Sequence, residues 1–317
     1  MKRILKKIGL ILGIAVGSVV GLLLVALGAL NVAKFIIYDE YYDIEETVCK
    51  NPGLRDGFVC QGICATDNDV ILVSGYMKDG SASRIYLTTE NDESRFVFLS
   101  QNGKPFTGHA GGIASAQGKA YIASDDSIFT LPLQTLMNAE DGETVDIGEG
   151  VKVNNSASYA YSDGEYLYVG EFHDGGKYTI VGHENDTKEG RHYAICSKYA
   201  LDDLTKPVKV YSVRNKVQGI CFTPDGKVVM STSYGLKSSY YYVYNEAEAT
   251  ESGKTMDGAP VYYLDTLVDE VKGPAMAEGL AYYDGEVITL TESASDKYIF
   301  GKFFNARHIV SLDFDND

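Results

Sequence analysis

Two patterns of apolar and polar positions divide this chain. Lys2, Arg3, Lys6 and Lys7 precede a run from Ile8 to Ala33 that carries no charge. At a rise of about 1.5 Å per residue, about 20 apolar residues cross a ~30 Å hydrocarbon layer, so the run predicts a membrane-spanning helix. It is longer than the roughly 7–15 apolar residues of a cleaved leader, although Ala26-Leu27-Gly28 has the small residues of a cleavage site. From Phe58 onward the pattern changes. Short runs rich in Val, Ile, Tyr and Phe alternate with turn residues, and no sustained helical period appears. Five of these runs carry one motif, clearest in Gln218-Gly219-Ile220-Cys221. Its partners are Gln61-Gly62-Ile63-Cys64, Gly111-Gly112-Ile113-Ala114, Ala157-Ser158-Tyr159-Ala160 and Glu278-Gly279-Leu280-Ala281.

The steps between Ile63, Ile113, Tyr159, Ile220 and Leu280 are 50, 46, 61 and 60 residues. Repeats of about 40–50 residues, each with four strand signals, are the mark of β-propeller blades. The expected fold is all-β: a five-bladed β-propeller preceded by one N-terminal transmembrane helix. The two longer steps leave a six-bladed ring open. In the fourth copy the expected strands are 218–223, 227–232, 240–244 and 260–264. The last copy offers only 278–282, 286–291 and 308–314, so segment 43–49 is expected to supply the missing outer strand and close the ring. The implied division is a cytoplasmic basic segment at 1–7, an anchor at 8–33, a juxtamembrane linker at 34–42 and the propeller at 43–317.

Charge then limits partners. Five of the 28 basic residues and none of the 44 acidic ones precede Asp39, leaving 23 basic against 44 acidic residues beyond the helix, a net of −21. Such a surface repels phosphate backbones and argues against nucleic acid. The basic flank places residues 1–7 in the cytoplasm and the propeller outside, on a single-pass protein of the cell membrane. Gly9, Gly13, Gly17 and Gly21 share one helix face, which permits a close-packed homodimer; glycine is also simply common in membrane helices. Cys64 and Cys221 occupy a repeat position held elsewhere by Ala114, Ala160 and Ala281, a packing position. A Cys49–Cys60 bridge is left open, and no Cys-x-x-Cys pair occurs.

The inner-strand motif, with Pro224-Asp225-Gly226 after Ile220 and Asp284-Gly285 after Leu280, resembles the gluconolactonase, strictosidine synthase-like and NHL propellers. The resemblance implies that strand entries and second-strand exits open on one mouth. His109, Asn155, Gln218 and Glu278, with Gln61, would come from the entries; Ser74, Asp125, Glu171, His173, Ser233 and Glu292 from the exits. A small-molecule or protein ligand is expected there, with His109, Asn155, His173, Gln218 and Ser233 as binding residues. The resemblance also implies a divalent ion, calcium, magnesium or manganese, at Glu278 and Asn155, although Gln61, Gly111 and Gln218 depart from the family's ligand set. A carboxylate-dependent hydrolase would draw on Glu171, Glu278 and Glu292. A purely structural interaction module is the third reading. Segments 173–191 and 293–307 read as long insertions on the binding face. Residues 313–317 resemble the start of a calcium loop but lack its glycine and glutamate.

Overall fold

The computed structural model describes residues 2–304 and 306–314; Asp315, Asn316 and Asp317 of the acidic tail lie outside the described residues. Among the described residues a single α-helix, Lys2–Ile37, is long and apolar enough to cross a membrane. Most of its described apolar side chains between Ile8 and Ile37 are exposed. Residues 34–37 continue the helix, Asp39–Ile44 form a second short helix, and Tyr38 and Tyr41 are buried in the propeller core. Tyr41 stacks on Tyr241 at 5.9 Å between ring centroids. Burying an aromatic ring of this size contributes about 2–3 kcal/mol, enough to fix the anchor to the domain.

The remaining chain is a five-bladed β-propeller. Blade one comprises Phe58–Ala65, Ile71–Met77, Arg84–Thr88 and Ser94–Gln101; blade two Gly112–Ala116, Lys119–Ser124, Ser127–Pro132 and Gly150–Lys152. Blade three comprises Tyr159–Ser162, Tyr166–Gly170, Ala194–Ala200 and Asp203–Val213; blade four Val217–Phe222, Lys227–Thr232, Ser239–Asn245 and Leu267–Gly273. Blade five has Ala277–Tyr283, Glu286–Thr291 and His308–Leu312, and the N-terminal strand Glu45–Lys50 completes it. That strand pairs antiparallel with His308–Leu312, Glu45 opposite Leu312 and Lys50 opposite His308. The ring is therefore closed by joining the two ends of the domain, as the missing fourth strand requires.

One strand differs from expectation. Segment 260–264 is not the outer strand of blade four. Ala259–Tyr263 instead pairs in parallel with Asp203–Val213 of blade three, and Thr250–Met256 adds beyond it. The true outer strand, Leu267–Gly273, has a weaker pattern because most of it is solvent-facing. The same device occurs earlier: Glu143–Asp146, on the path through blade two, pairs in parallel with Ser94–Gln101 of blade one. The preceding helix Leu133–Asn138 is held there by Arg95, whose Nη2 donates to Met137 O at 2.8 Å and Nη1 to Ala139 O at 2.6 Å. Both 60-residue steps are thus filled by hairpins, Asn185–Thr187 with Gly190–His192 and Thr250–Met256 with Ala259–Tyr263, not by a sixth blade.

The five inner strands meet by backbone contact. A Cβ on Gly62 would lie 2.6 Å from Ile113 N, and one on Gly219 would lie 2.7 Å from Leu280 N. One on Gly279 would lie 2.9 Å from Gln61 O and from Ile63 N, while one on Gly112 would collide with Ala160 N. The repeated glycine is there because only hydrogen fits between neighbouring blades. Side chains tie two of these four seams, Ser231 Oγ donating to Glu278 O at 2.5 Å and Ser74 Oγ to Ala110 O at 2.8 Å; at the fifth seam, between blades three and four, Tyr161 OH donates to Phe222 O at 2.6 Å. All five cysteines are free and buried. Cys60 does not bridge Cys49; its thiol lies 3.2 Å from Asn51 Nδ2 and 3.4 Å from Thr291 O, inside the core.

Gly219→Ala should lower stability by about 1–3 kcal/mol, since the added methyl meets backbone that cannot rotate away. Gly176→Ala, where the nearest atom would be 3.6 Å away on a surface side chain, should change the urea midpoint little. Equal effects of the two substitutions would refute the packing role assigned to the inner-strand glycines.

Candidate functional site

Entry into four of the five inner strands passes through a non-glycine residue in the left-handed region: Ala110, Ala157, Lys216 and Met276, with φ between 45° and 67°. This conformation is uncommon for side-chain-bearing residues and turns the chain sharply into the strand. The repeat position just inside the entry is occupied by Gln61, Gly111, Ala157, Gln218 and Glu278. Three adjacent blades, four, five and one, thus present long polar side chains, while blades two and three present none. The ring entrance is polar along one arc and open along the other.

Glu278 and Glu292 occupy the centre of the polar arc. Glu278 is buried, and its Oε1 accepts from Gln218 Nε2 at 3.3 Å. Gln218 Nε2 also lies 3.4 Å from Ser233 Oγ. Glu292 is partly buried, and its Oε2 accepts from Gln61 Nε2 at 3.0 Å. Burial pushes the Glu278 carboxyl well above the ordinary carboxylate range, the nearby Glu292 pushes it further, and Lys297 opposes both. Burial raises Glu292 to about 7, against the pull of Tyr298, Lys297 and Gln61. Burial and mutual repulsion thus bias both carboxyls towards the protonated form, and the two titrate as a pair.

Aromatic rings flank the pair. Lys297 Nζ contacts Tyr76 OH and lies 5.0 Å from the Tyr298 ring centroid. The rings of Tyr76 and His109 pack at 4.5 Å. Next to this arc, between blades three and four, lies a cleft of about 1090 Å³. Ser233 and Lys216 line it, so it adjoins the carboxyl arc. Arg191, Arg214, Lys216, Lys237 and Lys272 face Asp174 and Glu189 there, a basic lining on an acidic domain. Glu189 is already engaged: its Oε1 is 2.7 Å from Arg214 Nη2 and its Oε2 accepts from Tyr244 OH at 2.9 Å.

Other expected site residues are committed to structure. Glu171 is buried apart from the pair, and its Oε1 lies 2.7 Å from His183 Nδ1 and accepts from Ile195 N at 3.0 Å. Asn155 spends both ends of its amide on backbone: Nδ2 donates to Val169 O at 2.8 Å and Oδ1 accepts from Ala157 N at 2.9 Å. His173 accepts from Ile180 N at 2.9 Å through Nδ1 and stacks on Tyr193 at 4.7 Å, so it shapes the cleft wall. Among the described residues no group of three or more His, Cys, Asp or Glu could hold a metal ion. Tyr76 was not foreseen. It lies two positions beyond Ser74, near the end of its strand, and strand alternation gives no sign that its ring turns to the mouth.

Because Glu292 holds its proton in the folded state up to about 7, but only to the ordinary value near 4.5 when unfolded, stability should fall as pH rises through that window. Glu292→Gln, neutral at every pH, should be about 3 kcal/mol more stable than the parent at pH 8 and close to it at pH 4.5. Chemical denaturation at the two pH values checks this; parallel pH profiles would contradict the assigned environment.

No protein-family model matches the sequence, and no curated protein matches it. Solved structures with a similar course of chain include a glucose dehydrogenase-type oxidoreductase from Thermus thermophilus, 12% identical, covering 85% of this chain and 99% of that one, TM-score 0.44. A PQQ-bound aldose sugar dehydrogenase from Streptomyces coelicolor is 15% identical, covering 78% and 77%, TM-score 0.39. BamB from Moraxella catarrhalis is 9% identical, covering 81% and 84%, TM-score 0.31. The five-bladed assignment stands on the sheet topology of this chain itself.

Proposed function

We propose that this chain is a membrane-anchored propeller, outside the cytoplasm, that binds a small hydroxylated ligand at its mouth. The observation that carries this reading is the Glu278–Glu292 pair, held by Gln218 and Gln61 from the flanking blades. A protonated carboxyl donates and an ionised one accepts, so the pair can hold adjacent hydroxyl groups that water would otherwise satisfy. Tyr76 and Tyr298 supply ring faces of the kind that pack on saccharides, in a chain without tryptophan. The basic cleft beyond Ser233 suits an anionic substituent on the same ligand. A divalent ion is less well supported. Asn155 Oδ1 already accepts from Ala157 N, and hard cations of this kind take six or more oxygen ligands, against the two carboxyl groups of the arc.

The same pair supports a hydrolytic reading, in which one carboxyl acts as acid and the other as base or nucleophile. The two readings part on turnover. A thermal-shift titration of the full-length chain with glucose and with glucuronate should give saturable stabilisation, larger for glucuronate. Glu278→Gln should weaken both by about tenfold, or about 1.4 kcal/mol, and Lys216→Glu should remove the preference for the acidic sugar. Absence of any saturable shift across neutral and acidic sugars would refute the binding reading. Cleavage of glycosides that Glu278→Gln and Glu292→Gln both abolish, with binding retained, would establish the hydrolase instead.

A further inference from the structure

Of the five loops that join second to third strands at the mouth, 78–83 in blade one and 125–126 in blade two expose Asp79, Asp125 and Asp126, and the three in blades three, four and five are 171–193, 233–238 and 292–307. Outside the N-terminal helix, the exposed large apolar side chains are Tyr178, Val181, Val208, Tyr234, Leu236, Leu267, Val268, Ile299 and Phe300. Six of these nine lie on the loops of blades three, four and five. Each of these loops carries the same trio, a tyrosine, a lysine and a bare aliphatic: Tyr178, Lys177 and Val181; Tyr234, Lys237 and Leu236; Tyr298, Lys297 and Ile299. Val181 and Ile299 are 79% and 77% exposed, which is unusual for branched aliphatics on an otherwise polar domain.

The turns at the opposite ends of the same inner strands differ in kind. They read Asp67-Asn68-Asp69, Asp163-Gly164-Glu165, Pro224-Asp225-Gly226 and Asp284-Gly285, with no exposed large apolar residue. The acids on the mouth loops are partly engaged: Asp174 Oδ1 accepts from Gly176 N at 2.7 Å and Tyr178 N at 2.8 Å, and Asp296 pairs with Lys302. Near Val181, Glu184 Oε2 accepts from Gly182 N at 3.0 Å and Asp186 Oδ1 lies 4.0 Å from Arg191 Nε.

The helix leaves the domain on the mouth side. Lys34 Nζ donates to Phe304 O at 3.3 Å, in the blade-five loop, and Tyr38 OH lies 3.2 Å from Ser238 Oγ, in the blade-four loop. Apolar character in that helix persists to Ile37, one residue before the chain enters the propeller core. There is consequently no spacer to lift these loops away from the bilayer that holds the helix.

We infer that the mouth face rests on the outer surface of the chain's own membrane, with the tips at Val181, Leu236 and Ile299-Phe300 inserted among the lipids. In blades three and four, tyrosine at the headgroup level, lysine near the phosphates and aliphatics below them is the arrangement of an interfacial segment; in blade five Lys297 and Tyr298 stay at the mouth against Tyr76 and Glu292, and Ile299-Phe300 alone reach the lipid. The acidic turns then face away from the bilayer. This goes beyond the ligand reading and rests only on the helix being an anchor.

The test uses the full-length chain in vesicles of phosphatidylcholine with phosphatidylglycerol. The native cysteines are all buried, so a thiol-reactive fluorophore reports introduced sites: Val181→Cys, Leu236→Cys and Ile299→Cys on the mouth loops, Glu165→Cys on the opposite face. Lipids carrying a nitroxide near the headgroup end of the acyl chain should remove most fluorescence from the three tip probes and little from the probe at 165. Introducing Ile299→Asp and Phe300→Asp should reduce quenching at 236 while the chain still floats with the vesicles. Tip probes no more quenched than the probe at 165, in chain that floats, would overturn this inference alone, as would tip probes brought together between copies without lipid quenching. Failure to float would overturn the anchor and this inference together.

Discussion

Backbone-to-backbone contact between the inner strands is the constraint on which the rest of this molecule depends. Blades can pack around a common axis only as closely as their innermost residues allow. Here Gly62, Gly112, Gly219 and Gly279 bring strand against strand with no side chain between them. Serine hydroxyls on the second strands satisfy carbonyls at two of these seams, so close approach there does not leave those carbonyls unpaired. Side chains just above the glycine level are crowded into one small region. Two carboxyls from blade five, a glutamine from blade four and another from blade one become neighbours although they are far apart in sequence.

Much of the fold was legible because propeller repetition is local. Each copy needs glycine beside an apolar residue, then a turn, then a β-rich run, and these signals do not depend on distant parts of the chain. The closing strand was also legible, since a blade with three strands and an N-terminal segment with alternating character complete each other. The exchange of strands between blades was not. Ala259–Tyr263 reads as a better strand than Leu267–Gly273, but register with a neighbour decides membership of a sheet, and sequence does not carry register between blades.

The site shows the same division. Glu278 and Glu292 could be placed at the mouth because one sits at a fixed repeat position and the other at a strand exit. Glu171 and Asn155 occupy comparable positions and do other work, because the neighbours that claim them, His183, Ile195 N, Val169 O and Ala157 N, come from local loop geometry. Charge was legible only as a sum. The acidic total hides a basic cleft and a lysine on each of three loops, since net charge says nothing about which end of a strand each residue occupies.

The strand Glu45–Lys50 is joined to the membrane helix by only a short helical segment, and its partner His308–Leu312 lies at the other end of the chain. During synthesis the first strand therefore emerges and waits until its partner is made. Non-local pairing of this kind is slow to form, and until it does the fifth blade keeps an open edge. In the finished protein the same connection has a mechanical meaning: tension on the helix meets the buried rings of Tyr38 and Tyr41 before it reaches the seam, so the packing on blade four shields the latch.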